Sequence, residues 1–222
     1  MKVEVGGSPQ DVAVAAERVW VSVQTPELAE QAGGTARLTA QADIDSLDPA
    51  LASAGLSWQL EHATCAKLLN YPDRPAPLGA QLEPEVAKTL PTVSADARTY
   101  TFTIRKGFRF SPPSNEPVTA RTFKYAIERT LSPRMLRGAP ADVRRPRLDD
   151  VVGAKAYAAG KASRIVGVVA RGNRLTIRLV APAPDFPARI AQPFFCAVPT
   201  NTPIEPGAQA KPELLGRPAA PP

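Results

Sequence analysis

The 222-residue chain holds a single histidine and two cysteines. His62 has no partner at metal-ligand spacing, and Cys65 and Cys196 lie far apart, so no metal centre is expected. Buried free thiols are the default expectation for the cysteines; a disulfide is the alternative, and it would suit an extracytoplasmic home. No run approaches the roughly 18 apolar residues of a membrane helix, so the chain is not expected to span a bilayer. The N-terminal MKVEVGGSPQDV lacks the apolar core of a secretory leader, and no signal peptide is expected there. Also absent are the G-x-S-x-G elbow, the P-loop and H-E-x-x-H. Two carboxylate pairs exist, Asp43/Asp45 and Asp149/Asp150, but acids in turn sequences are usually solvated. The chain therefore reads as a non-enzyme that needs no cofactor.

What is present supports a packed core. Hydrophobic residues make up 44% of the chain, which argues against global disorder. The net charge is +6, and much of the excess is local, at Arg134, Arg137, Arg144, Arg145 and Arg147. That stretch has no interleaved aromatics and contains Gly138, Pro140 and Pro146. It reads as a solvated basic loop, and no nucleic-acid partner is expected.

The most informative stretch runs from Thr99 to Leu131, TYTFTIRKGFRFSPPSNEPVTARTFKYAIERTL. Tyr100, Phe102 and Ile104 alternate with Thr99, Thr101, Thr103 and Arg105, the period of a strand with one buried face. Gly107 can supply the positive φ of a tight turn, and Phe108-Arg109-Phe110 resumes the alternation. Thr119 stands where a helix N-cap belongs, ahead of Phe123, Ile127 and Leu131 at four-residue spacing. Arg121 and Thr122 follow Thr119-Ala120, so the reciprocal carboxylate of a capping box is missing.

TYTFTIRKGFRF followed by PVTARTFKYAIERTL resembles the bacterial extracellular solute-binding proteins of family 5, the peptide- and nickel-binding receptors of ABC transporters. The aromatic alternation, the Arg-Lys-Gly turn and the Thr-Ala helix start fall at that family's spacing. Leu47-Asp48-Pro49-Ala50 resembles the family's opening loop, which follows a strand placed here over Ala36, Leu38 and Ala40. The resemblance implies that this loop faces a ligand cleft, with Asp43, Ile44, Ser46 and Leu47 lining it. Asp48 itself reads as a turn or helix-start residue.

Further along, SWQLEHATCAKLLNY predicts a helix over 57–71, stopped by Pro72, with Trp58 as an anchor at its start and His62 as a surface or packed residue. Thr92-Val93 is expected to pair with the aromatic strand through a turn in which Ala97 replaces the usual glycine, at a cost if that position needs positive φ. DDVVGAKAYAAGKA resembles the family's helical segment, with Gly160 at its C-terminus. RIVGVVARGNRLTIRLVAP reads as a hairpin turning at Gly172-Asn173. Residues 185–190 predict a short helix, and Phe194 to Pro199 closes the resemblance.

The expected fold class is α/β: part of a periplasmic-binding-protein-like (type II) lobe, a mixed sheet with packed helices, plus a short N-terminal β-hairpin. Residues 1–24 are similar to part of one β-propeller blade, 25–33 read as linker, 34–199 as the first part of the solute-binding domain, and 200–222 as a disordered Pro- and Ala-rich tail. The resemblance implies a small-molecule or peptide ligand, most simply an oligopeptide, an ABC permease as partner and an extracytoplasmic location. It covers only part of a two-lobed receptor, so this chain alone is expected to bind weakly or not at all. The alternative is a ligand-sensing domain within a larger propeller-containing regulatory protein, which could be cytoplasmic.

Overall fold

A computed structural model describes residues 8–15, 18–24, 43–138 and 148–205. The chain divides into two units, residues 1–40 and 41–222. The first contains an antiparallel hairpin of β1 (Ser8–Ala15) and β2 (Arg18–Gln24), with Val12 opposite Val21 and Val14 opposite Val19. This is the expected N-terminal hairpin. The strand expected over Ala36–Ala40 and the residues of the linker lie outside the described residues.

The second unit begins with a loop and α1 (Gly55–Thr64). The helix predicted over 57–71 stops at Thr64. Cys65 is extended (φ −109°, ψ 152°), and Leu69–Asn70 forms a short strand, β3, against β4 (Glu83–Pro84). The apolar residues Leu68 and Leu69 are buried as predicted hydrophobes, but through strand pairing instead of a helix face.

A four-stranded sheet follows, built from β5 (Thr92–Val93), β6 (Thr99–Thr103), β7 (Val168–Arg171) and β8 (Arg174–Arg178) in the order β5-β6-β8-β7. Its pairings are all antiparallel. The alternation read from the sequence holds: Tyr100, Phe102 and Ile104 are buried, as are Leu175 and Ile177 opposite them. Tyr100 packs its ring on Phe186 at 4.7 Å and donates its hydroxyl to the Ala183 carbonyl at 2.9 Å. Gly107 (φ 100°) and Gly172 (φ 56°) take the positive φ their turns require, and Ala97 is forced to φ 53°.

Helix α2 (Ala120–Thr130) lies on the buried face of the sheet through Phe123 and Ile127. Its N-terminus corrects one expectation. The Thr122 hydroxyl accepts a hydrogen bond from the Thr119 N–H at 3.0 Å, taking the place of the missing carboxylate. Lys124 joins Glu128 at 2.7 Å and the Val168 carbonyl at 2.8 Å, fixing the helix to β7.

Among the described residues the unit also holds three short α-helices, α3 (Pro133–Gly138), α4 (Ala154–Ala158) and α5 (Phe186–Ile190), and two 3-10 turns, Leu78–Ala80 and Pro193–Phe195. Gly160 (φ 72°) follows the end of α4, as its place in the sequence suggests. Arg134 and Arg137 of the basic stretch are exposed on α3, while Arg144, Arg145 and Arg147 lie outside the described residues.

Residues 200–205, assigned to the tail on composition, pack against α2. Thr200 bonds Glu116 through its N–H and hydroxyl, Tyr125 donates to the Thr202 carbonyl, and the Arg129 Nε donates to the Pro203 carbonyl. The remainder of that tail, 206–222, lies outside the described residues. No described helix is long and apolar enough to cross a membrane.

Candidate functional site

The loop from Asp43 to Ala54 is organised by Asp45. The residue before α1, Ala54, has no side chain that can cap the helix. Asp45, nine residues upstream, instead braces the segment that leads into the helix. Its carboxylate accepts from the N–H groups of Ser53 (2.8 Å) and Ala54 (3.1 Å) and from the hydroxyls of Ser53 (2.7 Å) and Ser57 (2.5 Å). The negative charge also meets the positive end of the helix. Partial burial works to raise the Asp45 pKa, but the bonds from Ser57, Ser53 and Ala54 hold it well below the usual carboxylate range. This acid is a structural anion, not one of a solvated pair.

Three residues on, Asp48 is buried and forms a two-pronged ion pair with Arg129 of α2, at 2.7 and 2.5 Å. Asp48 also accepts from the Ala50 N–H at 3.0 Å, and its carbonyl takes the N–H groups of Leu51 and Ala52. The turn role read from Asp48-Pro49 is therefore present, with a buried cation added to it. Glu61, on α1, is only 2% exposed, and neither carboxyl oxygen has a hydrogen-bond partner among the described residues. Burial, helped by the charges of Asp48 and Asp45 and opposed by Lys67, pushes its pKa up to about 8.

Asp43, Ile44, Ser46 and Leu47 flank Asp45 on this loop. Asp43 and Ile44 are exposed, and the Asp43 carboxylate accepts from the Ile44 N–H at 2.8 Å. Ser46 and Leu47 are half-buried. The Ser46 hydroxyl accepts from the Asp48 N–H at 3.0 Å, and its N–H donates to Asp45 at 2.9 Å. Ser46 thus spends its polar groups on the loop, while Asp43 and Ile44 face solvent. The sequence reading missed the residues that shape this loop, namely Asp45 as its central acceptor with Ser53, Ser57 and Arg129, and it missed the buried Glu61 on α1.

The far end of α1 is also fixed. Lys67 is fully buried and donates to the carbonyls of His62 (3.3 Å) and Cys65 (3.4 Å) at the helix C-terminus, where a cation is favoured. It also pairs with Glu85 at 3.3 Å. Trp58 anchors the helix start as expected, donating to the Ala52 carbonyl at 3.0 Å and standing edge-on to Phe194 at 5.0 Å. The default reading of the cysteines is corrected: Cys65 and Cys196 form a disulfide. The Ala197 N–H donates to the Ala66 carbonyl at 2.9 Å, which sets the two segments side by side. Their Cα atoms stand 5.7 Å apart, inside the range a disulfide spans.

The model of bacterial extracellular solute-binding proteins, family 5 Middle, matches residues 81–216. The chain belongs to this family. Members are solute-binding receptors, so the non-enzymatic reading agrees with the family. The dipeptide-binding protein DppE of Bacillus subtilis (strain 168) is 33% identical over 156 residues, 69% of this chain and 26% of that protein. Among solved structures, clavulanic acid biosynthesis oligopeptide binding protein 2 is 28% identical, with a TM-score of 0.70 over 82% of this chain and 33% of its own. The peptide-bound OppA of Listeria monocytogenes, 23% identical, shares the fold with a TM-score of 0.62 over 72% of this chain and 30% of its own. The expected α/β, type II lobe is thus found, as part of a larger fold. This family 5 chain spans about a quarter to a third of the length of these relatives. The family-model match begins at residue 81, beyond the Asp45 loop.

Proposed function

We propose that this chain forms one wall of an oligopeptide-binding receptor serving an ABC-type importer, with the loop 43–47 facing the ligand. The observation that carries this reading is the Asp45 loop. It is held rigid from within by five side-chain hydrogen bonds to one carboxylate, yet it leaves Asp43 and Ile44 in solvent. A wall that recognises a flexible peptide needs such preorganisation, because it lowers the ordering cost of binding. The relatives named for dipeptide and oligopeptide binding support the ligand class.

In this reading Ile44 and Leu47 offer apolar contact and Asp43 a charge for a peptide amine. Ser46 holds the turn and reaches the ligand only at its edge. A second wall supplies the remaining contacts in a two-lobed receptor. The 222-residue chain by itself therefore binds weakly, and the permease is a partner of the larger receptor. The Cys65–Cys196 disulfide supports an extracytoplasmic location over the cytoplasmic regulatory alternative. The β1–β2 hairpin, a unit of its own, keeps the propeller-blade reading as a proposal for residues 1–24.

Calorimetric titration with di- and tripeptides tests the assignment. The expected dissociation constants are weaker than about 0.1 mM, with further loss in Ile44→Asp. Either micromolar affinity in this chain or no heat from any peptide contradicts the proposal.

A further inference from the structure

A cavity of about 510 Å³ lies away from the Asp45 loop, where three turns meet. Its lining comes from the end of β6 and the following turn (Ile104 to Phe108), from Pro117 to Thr119 ahead of α2, and from the hairpin turn Gly172-Asn173. The volume falls in the ~300–1,000 Å³ range of small-molecule sites. The floor is apolar: Ile104, Phe108 and Val118 are buried. The rim is cationic, with Arg105 and Lys106 both exposed. Arg105 sits over the Phe108 ring at 5.0 Å, so the ring holds the guanidinium in place at the mouth. Among the described residues neither cation takes part in an ion pair within 4 Å. Glu85, whose charge Arg105 feels, is engaged by Lys67. Arg171 and Arg174 flank the hairpin turn and are exposed, adding to the positive field.

We propose that this cavity binds a small organic carboxylate bearing an apolar, ring-sized group. The ring would enter against Phe108 and Val118, and the carboxylate would meet Arg105 and Lys106. A planar guanidinium can take a carboxylate through two parallel hydrogen bonds, while the ammonium acts as a point charge. A purely apolar ligand would leave the cations unused, and a bare anion would leave the floor wet. The site shares no residue with the peptide-facing loop, so it stands or falls separately from the peptide reading.

The test uses the full chain, 3-phenylpropionate and the uncharged 3-phenylpropanamide, followed by NMR. The acid is expected to bind with a dissociation constant of about 1 mM, in line with its size. Amide shifts should move at Gly107, Phe108, Gly172 and Asn173. The neutral amide, or the acid with Arg105→Ala, should bind at least about tenfold more weakly. Both Arg105 and Lys106 are exposed, so Arg105→Ala and Lys106→Ala should leave the amide spectrum of the core unchanged. Equal binding of acid and amide would overturn the proposal. So would shifts confined to residues 43–57, or no binding. Phosphatidylglycerol vesicles form the remaining arm: vesicle binding that needs Arg105, without binding of the free acid, would replace a small-molecule site by a lipid-surface contact and overturn the proposal.

Discussion

Arg129 clasps Asp48 through both of its terminal nitrogens, joining residues 81 positions apart in the chain. Both side chains are essentially removed from solvent. The pair ties the loop that carries the proposed ligand wall to the helix behind it, and Arg129 adds a bond to Pro203. Loop geometry and core packing are therefore coupled through one guanidinium.

Removing one partner should cost more than removing both. Arg129→Met leaves a buried carboxylate without its cation, at a cost of about 3–5 kcal/mol. Asp48→Leu combined with Arg129→Met should recover most of that loss, since neither charge then remains to be desolvated. Arg129→Lys should recover little, because an ammonium cannot match the two-pronged geometry. Urea unfolding of the unaltered chain and these three variants, with the single Asp48→Leu to complete the cycle, measures the coupling.

Glu61 should make stability fall as pH rises. Its folded-state pKa is raised to about 8 from an ordinary value of 4.5, first by burial and then by Asp48 and Asp45. Below 4.5 both states hold the proton and the group does not vary with pH. Between 4.5 and 8 the unfolded chain releases a proton that the folded chain keeps, so stability drops, by a total on the order of 4–5 kcal/mol. Above 8 the loss is complete. Glu61→Gln should flatten this slope and gain most at pH 8 and above. Unfolding curves for both proteins between pH 5 and 9 show the difference.

The disulfide closes a separation of 131 residues, which the chain-entropy argument values at about 5 kcal/mol. Reduction, or Cys65→Ser with Cys196→Ser, should lower stability by about 2–5 kcal/mol. Thiol titration of the unfolded, unreduced chain should find no free thiol. Two reactive thiols would contradict the bridge.

Ala97 occupies the left-handed region at φ 53°, which a side chain with Cβ enters at a cost. Ala97→Gly should stabilise the β5–β6 turn by about 1 kcal/mol, read as a rise in the urea midpoint without a change of slope.

What the sequence revealed follows how local each signal was. β6, α2 and the β7–β8 hairpin carry their period in consecutive residues and turn at residues suited to it. The end of α1 was misplaced because Leu68, Leu69 and Tyr71 continue a helical spacing, while its true end is fixed by partners far away: Glu83–Pro84, Glu85 and Cys196. The structure of the candidate loop was half legible. The turn at Asp48-Pro49 could be read from the sequence, but not the bonds that shape the loop before it. Arg129 left one usable signal: it falls three residues after Ala126 and seven after Thr122, on the side of α2 that those two residues bury, and a cation there demands a carboxylate. Ser53 and Ser57 left none, since serine near a helix start is compatible with exposure.

The most direct test of the account is an NMR titration of the isotope-labelled chain with an alanine tripeptide. The account predicts concentration-dependent shifts centred on the amides of Asp43, Ile44, Ser46 and Leu47, saturating only at millimolar peptide. Shifts that leave those four amides unmoved while another surface responds would contradict it.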